Sequence, residues 1–153
     1  MIETRLRELG IDLPAPVAPG YEYVAVAMQG DIAYVSGQLP RLDAHTVITG
    51  KLGADVSVER GQEAAKLCVL HALAQLRTAL GDLDRIERVV KMTGFVASAP
   101  GFNQQPAVID GASRLLVEIL GERGRHARSA IGVAELPRNA AVEIEMVVAV
   151  RPC

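Results

Sequence analysis

The sequence ARSAIGVAELPRNAAVEIEMVVAV, residues 127–150, decides the fold because it contains two β-strands joined by a short turn. Apolar and β-branched residues predict strands at about 127–134 and 140–150, and the ELPRN segment between them carries the proline that interrupts the pattern. Successive side chains of a strand point to opposite faces of a sheet. The alternation in the second strand therefore places Glu143 and Glu145 on one face.

The rest of the chain alternates between helical and extended patterns. Ser57 can cap the longest helix, Gly81 can end it, and Pro106 suits the first turn of the second helix. The predicted elements are a leader helix at 2–9, strands at 21–28, 32–36 and 88–97, helices at 57–81 and 106–121, and loops at 10–20, 37–56 and 121–124.

This order adjoins strands to strands at both ends and lacks a regular strand-helix-strand repeat, so it favours the α+β class. We expect one domain over residues 1–153, with a leader helix and loop at 1–20, and a mostly antiparallel sheet with two helices on one face. The other face of such a sheet must also be shielded from water if it is apolar. Because the strands are rich in Ala and Val, we expect a second subunit to pack against that face.

The composition restricts the classes of function that this chain can have. Sixteen basic and eighteen acidic residues give a net charge of -2, which provides no general electrostatic attraction for nucleic acid and disfavours such a partner. The two cysteines have no disulfide or metal-site spacing, and the N-terminus lacks a secretion signal. No stretch approaches 18 apolar residues, so we expect no membrane association and a cytoplasmic protein.

Two charged residues near the C-terminus are the candidates for chemistry. Arg128 at a strand start could clamp a carboxylate or be an ordinary surface arginine, and Glu143 among apolar neighbours could handle a proton or be solvated. His126 is two residues from Arg128, on the same side of a strand, and is either a pocket residue or a loop residue. His71 is assigned no role. No motif for zinc, nucleotide phosphate or a serine nucleophile is present, so we expect no metal and no cofactor.

Several segments together resemble the YjgF/Rid family. The resemblance runs from about Tyr21 to Val150, and the leader helix lies outside it. The segments that carry it are Tyr23, SGQLP at 36–40, ARS at 127–129, LP at 136–137 and VEIE at 142–145, together with a GRHARS sequence at 124–129 that suggests a divergent branch.

The resemblance implies a chorismate-mutase-like fold, a homotrimer with three clefts between subunits, and hydrolysis of reactive enamines or imines to 2-oxo acids and ammonia. Carried over to this chain, Arg128 would hold the substrate carboxylate and Glu143 would position or activate water. Substrate-binding residues would be Tyr23, Ser36, the Gly37 backbone, His126, Ala130 and Ile131. Ala130 stands where the deaminase branch commonly has a cysteine, so a pocket thiol is absent.

The sequence is also compatible with three other functions. A trimer that binds a carboxylate-bearing metabolite without turnover would retain Arg128 equally well. The second is endoribonuclease activity, after which the family was formerly named. The acidic net charge and the absence of paired catalytic histidines disfavour it. A chaperone-like role is the third. Release of ammonia separates a deaminase from all of them.

Overall fold

Five strands and three α-helices build the domain, and a computed structural model describes all 153 residues. Their chain order is the predicted one, and the α+β class is confirmed. The elements are α1 (Ile2–Glu8), β1 (Val26–Gln29), β2 (Ile32–Gln38), α2 (Val58–Leu80), β3 (Ile86–Ala97), α3 (Gln105–Leu120), β4 (Ala127–Val133) and β5 (Val142–Val150).

The strands form one mostly antiparallel sheet in the order β1-β2-β5-β3-β4. Only β3 and β4 run parallel, because α3 connects them. The C-terminal strand β5 lies at the centre, paired with β2 and β3. Its even-numbered residues from Val142 to Val150 are buried and its odd-numbered residues are not, as the alternation predicted. Glu143 and Glu145 thus share the face that carries no helix, called the open face below.

Both long helices pack on the opposite face, which is called the helix face. Ser57 caps α2 by accepting a hydrogen bond from the Arg60 backbone N–H at 3.1 Å, and Gly81 ends the helix with φ +77°, as predicted. Small residues bring the layers close together. A Cβ on Gly94 would lie 2.5 Å from Ile109 of α3, and one on Gly111 would lie 2.6 Å from the backbone of α2 at Gln62.

Several predicted elements differ in the structure. The first strand begins at Val26 and not at residue 21, because the Tyr23 N–H bonds the Tyr21 carbonyl in a local turn at 2.9 Å. The second strand continues to Gln38. The segment predicted as a surface loop buries Ile48 and Leu52 in the core, since apolar residues at irregular spacing can still be covered by neighbouring elements. Residues 121–124 form a 3-10 turn.

None of the helices combines the length and the apolar composition needed to cross a membrane. The cytoplasmic location stays a prediction.

Candidate functional site

A cavity of about 470 Å³ opens where β2 and β5 meet the leader loop. It brings together Tyr23, Gly37 and Glu143, three of the residues singled out in the sequence. Pairing between β2 and β5 shifts register between Val35 and Gln38, and this irregularity places Gly37 directly against Glu143. A Cβ on Gly37 would lie 2.8 Å from the Glu143 carboxylate, so only glycine leaves that carboxylate where it is.

The electrostatics of Glu143 differ from those of a surface glutamate. Partial burial raises the pKa of this carboxyl group, and the nearby charge of Glu145 raises it further. Glu143 makes no ion pair within the chain. A half-buried carboxylate with a raised pKa and no cationic partner is suited to accept and return a proton.

The same cavity contains two arginines that were not predicted from the sequence, Arg41 and Arg138. Both follow a Leu-Pro pair, and this repeated Leu-Pro-Arg sequence was the available signal. Arg138 donates a hydrogen bond to the His45 carbonyl and has a left-handed backbone with φ +57°, as does Asn139. Non-glycine residues rarely adopt this conformation without support from their surroundings.

Ser36 lies beside this cavity and faces a smaller one of about 310 Å³ on the open face, which also includes Tyr34 and Glu145. Its hydroxyl donates to the Val24 carbonyl at 2.7 Å. The side chain thereby ties β2 to the segment that leads into β1. Its role in ligand binding stays a prediction.

Arg128 lies on the edge strand β4 and points to the helix face. Its guanidinium donates from Nη1 to Asp110 Oδ1 at 2.8 Å and to Ser113 Oγ at 3.2 Å, and from Nη2 to the Pro106 carbonyl at 3.3 Å. All three partners belong to α3. With 22% of its side chain exposed, Arg128 forms the more buried half of an ion pair with Asp110.

His126 joins the same group of side chains. Its Nε2 is 2.9 Å from Ser113 Oγ and its Nδ1 is 2.6 Å from the Gly124 carbonyl. Burial lowers the pKa of this imidazole despite the opposing effect of the bond to Gly124, and the positive charge of Arg128 lowers it slightly further. The ring is therefore neutral at neutral pH.

The last two predicted residues alternate across β4. Ala130 packs toward the core on the helix face, and Ile131 is 44% exposed on the open face. Ile131 pairs with Phe95, which pairs in turn with Glu143, so the three form one row across the sheet. Adjacent strands lie about 4.8 Å apart, which separates Ile131 from Glu143 by roughly 10 Å.

The candidate residues thus form two groups within one chain. Tyr23, Gly37 and Glu143 surround the cavity, while His126 and Arg128 lie two strands away and face the helices. The structure does not bring Arg128 and Glu143 together inside a single subunit. No group of three or more His, Cys, Asp or Glu side chains converges as a metal site. The expected absence of a metal or cofactor stays a prediction.

Comparison with known proteins identifies the family. The family described as "YjgF/chorismate mutase-like, putative endoribonuclease" matches residues 3–149. The chain belongs to this family. The matched region includes most of α1, so placing the leader helix outside the family resemblance was wrong.

Relatives within the YjgF family differ in how similar their sequences and structures are to this chain. The crystal structure of Atu1372 from Agrobacterium tumefaciens, described as having unknown function, is 49% identical, with a TM-score of 0.90, over 99% of this chain and 92% of that one. A 2-iminobutanoate/2-iminopropanoate deaminase of Dermatophagoides farinae is 29% identical over 90% of both chains. E. coli TdcF, solved with bound serine, is 28% identical with a TM-score of 0.62, over 92% of this chain and 96% of that one.

Proposed function

We propose that this YjgF-family chain is an imine or enamine deaminase that hydrolyses small carboxylate-bearing imines to 2-oxo acids and ammonia. The observation that carries the proposal is the Glu143 carboxylate, which has a raised pKa, lacks a cationic partner and faces a cavity beside Gly37. The likeness to the Dermatophagoides deaminase supports the choice of reaction, and the serine bound to TdcF supports an amino-acid-sized ligand.

The reaction needs a positioned water and a proton carrier. Glu143 accepts a proton from water as the water oxygen bonds to the electrophilic imine carbon. Glu143 returns that proton to nitrogen, which gives a neutral carbinolamine. It then carries the hydroxyl proton of the carbinolamine to nitrogen, so the C–N bond breaks and ammonia leaves as the C=O bond forms. An imine plus water thus gives a 2-oxo acid plus ammonia, without a change of oxidation state. Tyr23 and the Gly37 backbone confine the substrate beside Glu143.

Arg128 is the proposed anchor for the substrate carboxylate, and it must come from a second subunit. Within one chain, it lies on the opposite face of the sheet from Glu143. We therefore propose a homotrimer with three clefts, each combining Glu143 of one subunit with Arg128 of the partner subunit. The open face supports such packing because it exposes apolar side chains, including Tyr34 and Ile131. In this arrangement His126, Ala130 and Ile131 flank the anchor on β4, and Ser36 flanks the cavity.

Mixed trimers test the shared site. Glu143→Gln and Arg128→Ala subunits, each impaired alone, are co-expressed with different tags, and ammonia release is measured at low substrate on imines generated in situ by an amino-acid oxidase. In a head-to-tail ring of randomly mixed subunits, about one quarter of the clefts contain both intact residues and should be active. Mixed trimers with no activity above either parent would contradict a site shared between subunits.

The main alternative is a trimer that binds a carboxylate-bearing metabolite without turnover. It predicts that the wild type binds 2-oxobutanoate in calorimetry yet releases no ammonia from imines of several amino acids. That pair of results would replace the deaminase with a binding protein. RNA cleavage that survives Arg128→Ala would instead support the endoribonuclease name.

A further inference from the structure

The contacts of Arg128 leave one edge of its guanidinium free. Nη1 uses both of its hydrogens, on Asp110 and Ser113, and Nη2 uses one, on the Pro106 carbonyl. The Nε–H and the second Nη2–H have no acceptor in the chain. Nε and Nη2 form one edge of the planar fork, and two parallel donors on such an edge suit bidentate binding of a carboxylate.

The hydrogen positions around Ser113 follow from its neighbours. The Gly124 carbonyl can only accept, so His126 Nδ1, at 2.6 Å, carries the hydrogen. In the neutral ring Nε2 is then an acceptor, and the Ser113 hydroxyl donates to it at 2.9 Å. The lone pairs of Ser113 Oγ face Arg128, which donates to it at 3.2 Å. Each polar group in this chain of contacts thus has a defined role.

We propose that Asp110, Ser113 and His126 are positioning residues that fix the Arg128 guanidinium with its Nε/Nη2 edge free for the ligand carboxylate. The inference rests on the proposed function, since it assigns the anchoring group of that site. Asp110 aligns the guanidinium through an ion pair, and Ser113 prevents rotation about the last side-chain bond. His126 fixes the orientation of the Ser113 hydroxyl. A guanidinium held in place has less conformational freedom to lose when ligand binds.

A serine beside a neutral histidine can also be a nucleophile and its base. The contacts favour the positioning role. Ser113 Oγ is engaged on both sides, by Arg128 and by His126, and it does not line the cavity that contains Glu143. Acetylation of Ser113 by p-nitrophenyl acetate, detected by mass spectrometry and abolished in His126→Gln, would overturn the positioning role.

A double-mutant cycle tests the inference through binding. The dissociation constant of 2-oxobutanoate is measured by calorimetry for wild type, Ser113→Ala, Arg128→Ala and the double variant. We expect Ser113→Ala to weaken binding about 3- to 10-fold in the wild-type background and to have no effect when Arg128 is absent. Ser113→Thr should restore binding, because it keeps the hydroxyl. Thr78→Ala is the control, since that hydroxyl contacts only the Ala74 carbonyl of its own helix.

The outcomes separate this inference from the proposed function. Binding that depends on Ser113 through Arg128, without ammonia release, would remove the deaminase and keep the positioning network. Equal losses from Ser113→Ala in both backgrounds would overturn the network, as would the absence of 2-oxobutanoate binding by the wild type. With active enzyme, Ser113→Ala should raise KM more than it lowers kcat, because the carboxylate anchor contributes to substrate binding. An equal effect on kcat and kcat/KM would contradict the role.

Discussion

The cavity around Glu143 and the edge strand around Arg128 differ in how their charges are satisfied. Glu143 has no ion pair, and its pKa is raised by burial. Arg128 has an ion pair with Asp110 and two further acceptors, one of which, Ser113, is bonded in turn to His126. An unpaired carboxylate can change protonation state during a reaction, whereas a guanidinium held by fixed partners can only bind. This contrast is the basis on which we propose proton transfer for one region and substrate anchoring for the other.

Removal of the Glu143 carboxylate charge is the substitution with the largest expected effect on the rate of imine hydrolysis. Glu143→Gln should lower kcat for imine hydrolysis by about 10²- to 10⁴-fold, the usual contribution of a general base, and leave 2-oxobutanoate binding nearly unchanged. Steady-state kinetics measure kcat, and calorimetry measures the dissociation constant of 2-oxobutanoate. Glu145→Gln is the matched control, because Glu145 lies two residues away on the same open face. Similar losses in both variants would show that Glu143 has no special role.

Arg128→Ala should act on binding. Hydrogen bonds to charged groups contribute about 1.5–3 kcal/mol each, so losing the anchor should raise KM and the dissociation constant of 2-oxobutanoate roughly 10- to 100-fold. The same kinetic and calorimetric measurements apply. Arg7→Ala on the leader helix is the control, since the Arg7 side chain makes one hydrogen bond, to Thr4 of its own helix. An Arg128→Ala variant with normal binding and reduced kcat would exchange the roles assigned to the two regions.

The two regions also differ in how far the sequence predicts them. The caps of α2 and the alternation of β5 depend on neighbouring residues, so the helix and the face of Glu143 could be predicted. The partners of Arg128 are 15 to 22 residues away on α3 and its first turn, and no local pattern links them to the strand.

The strand β4 also lacks the alternation that would reveal which way Arg128 points. Half-buried and exposed residues follow each other irregularly from Ala127 to Val133, because one of its edges is unpaired within the chain. Its parallel pairing with β3 fixes the face, and that pairing is a property of the whole fold. Position and residue type therefore identified Arg128, but not its separation from Glu143.

Adding one methyl group near the carboxylate tests the cavity with a smaller expected effect. Gly37→Ala would place a Cβ 2.8 Å from the Glu143 carboxylate, which must rotate away. The carboxylate is the flexible end of its side chain, so we expect about a tenfold loss of kcat with little change in the melting temperature. Gly20→Ala is the control, because its added Cβ meets nothing within 4 Å. A large loss of stability in Gly37→Ala would show a packing role instead.

One partly buried histidine, His71, contacts Arg41 of the Glu143 cavity, and another, His126, belongs to the Arg128 group; the pH dependence of stability due to these two gives the smallest predicted effect. Burial lowers the pKa of His71, whose Nε2 contacts the Arg41 carbonyl at 3.1 Å, as it lowers that of His126. A lowered folded-state pKa means that the unfolded chain binds protons first as pH falls below 6.5, so unfolding becomes more favourable there. The raised pKa of Glu143 acts in the opposite direction, with stability lost as pH rises from 4.5 through its folded-state value.

Thermal unfolding of wild type, His71→Gln and His126→Gln at a series of pH values between 8 and 5 isolates the two histidines from Glu143, which is common to all three proteins. Each variant should lose less stability than wild type as pH falls below 6.5, because one histidine no longer takes up a proton on unfolding. In Arg128→Ala the dependence due to His126 should become smaller, since a positive charge that lowers its pKa is gone, and that due to His71 should not change. Equal changes at both histidines would show that the two regions are electrostatically coupled and would weaken the division of roles between them.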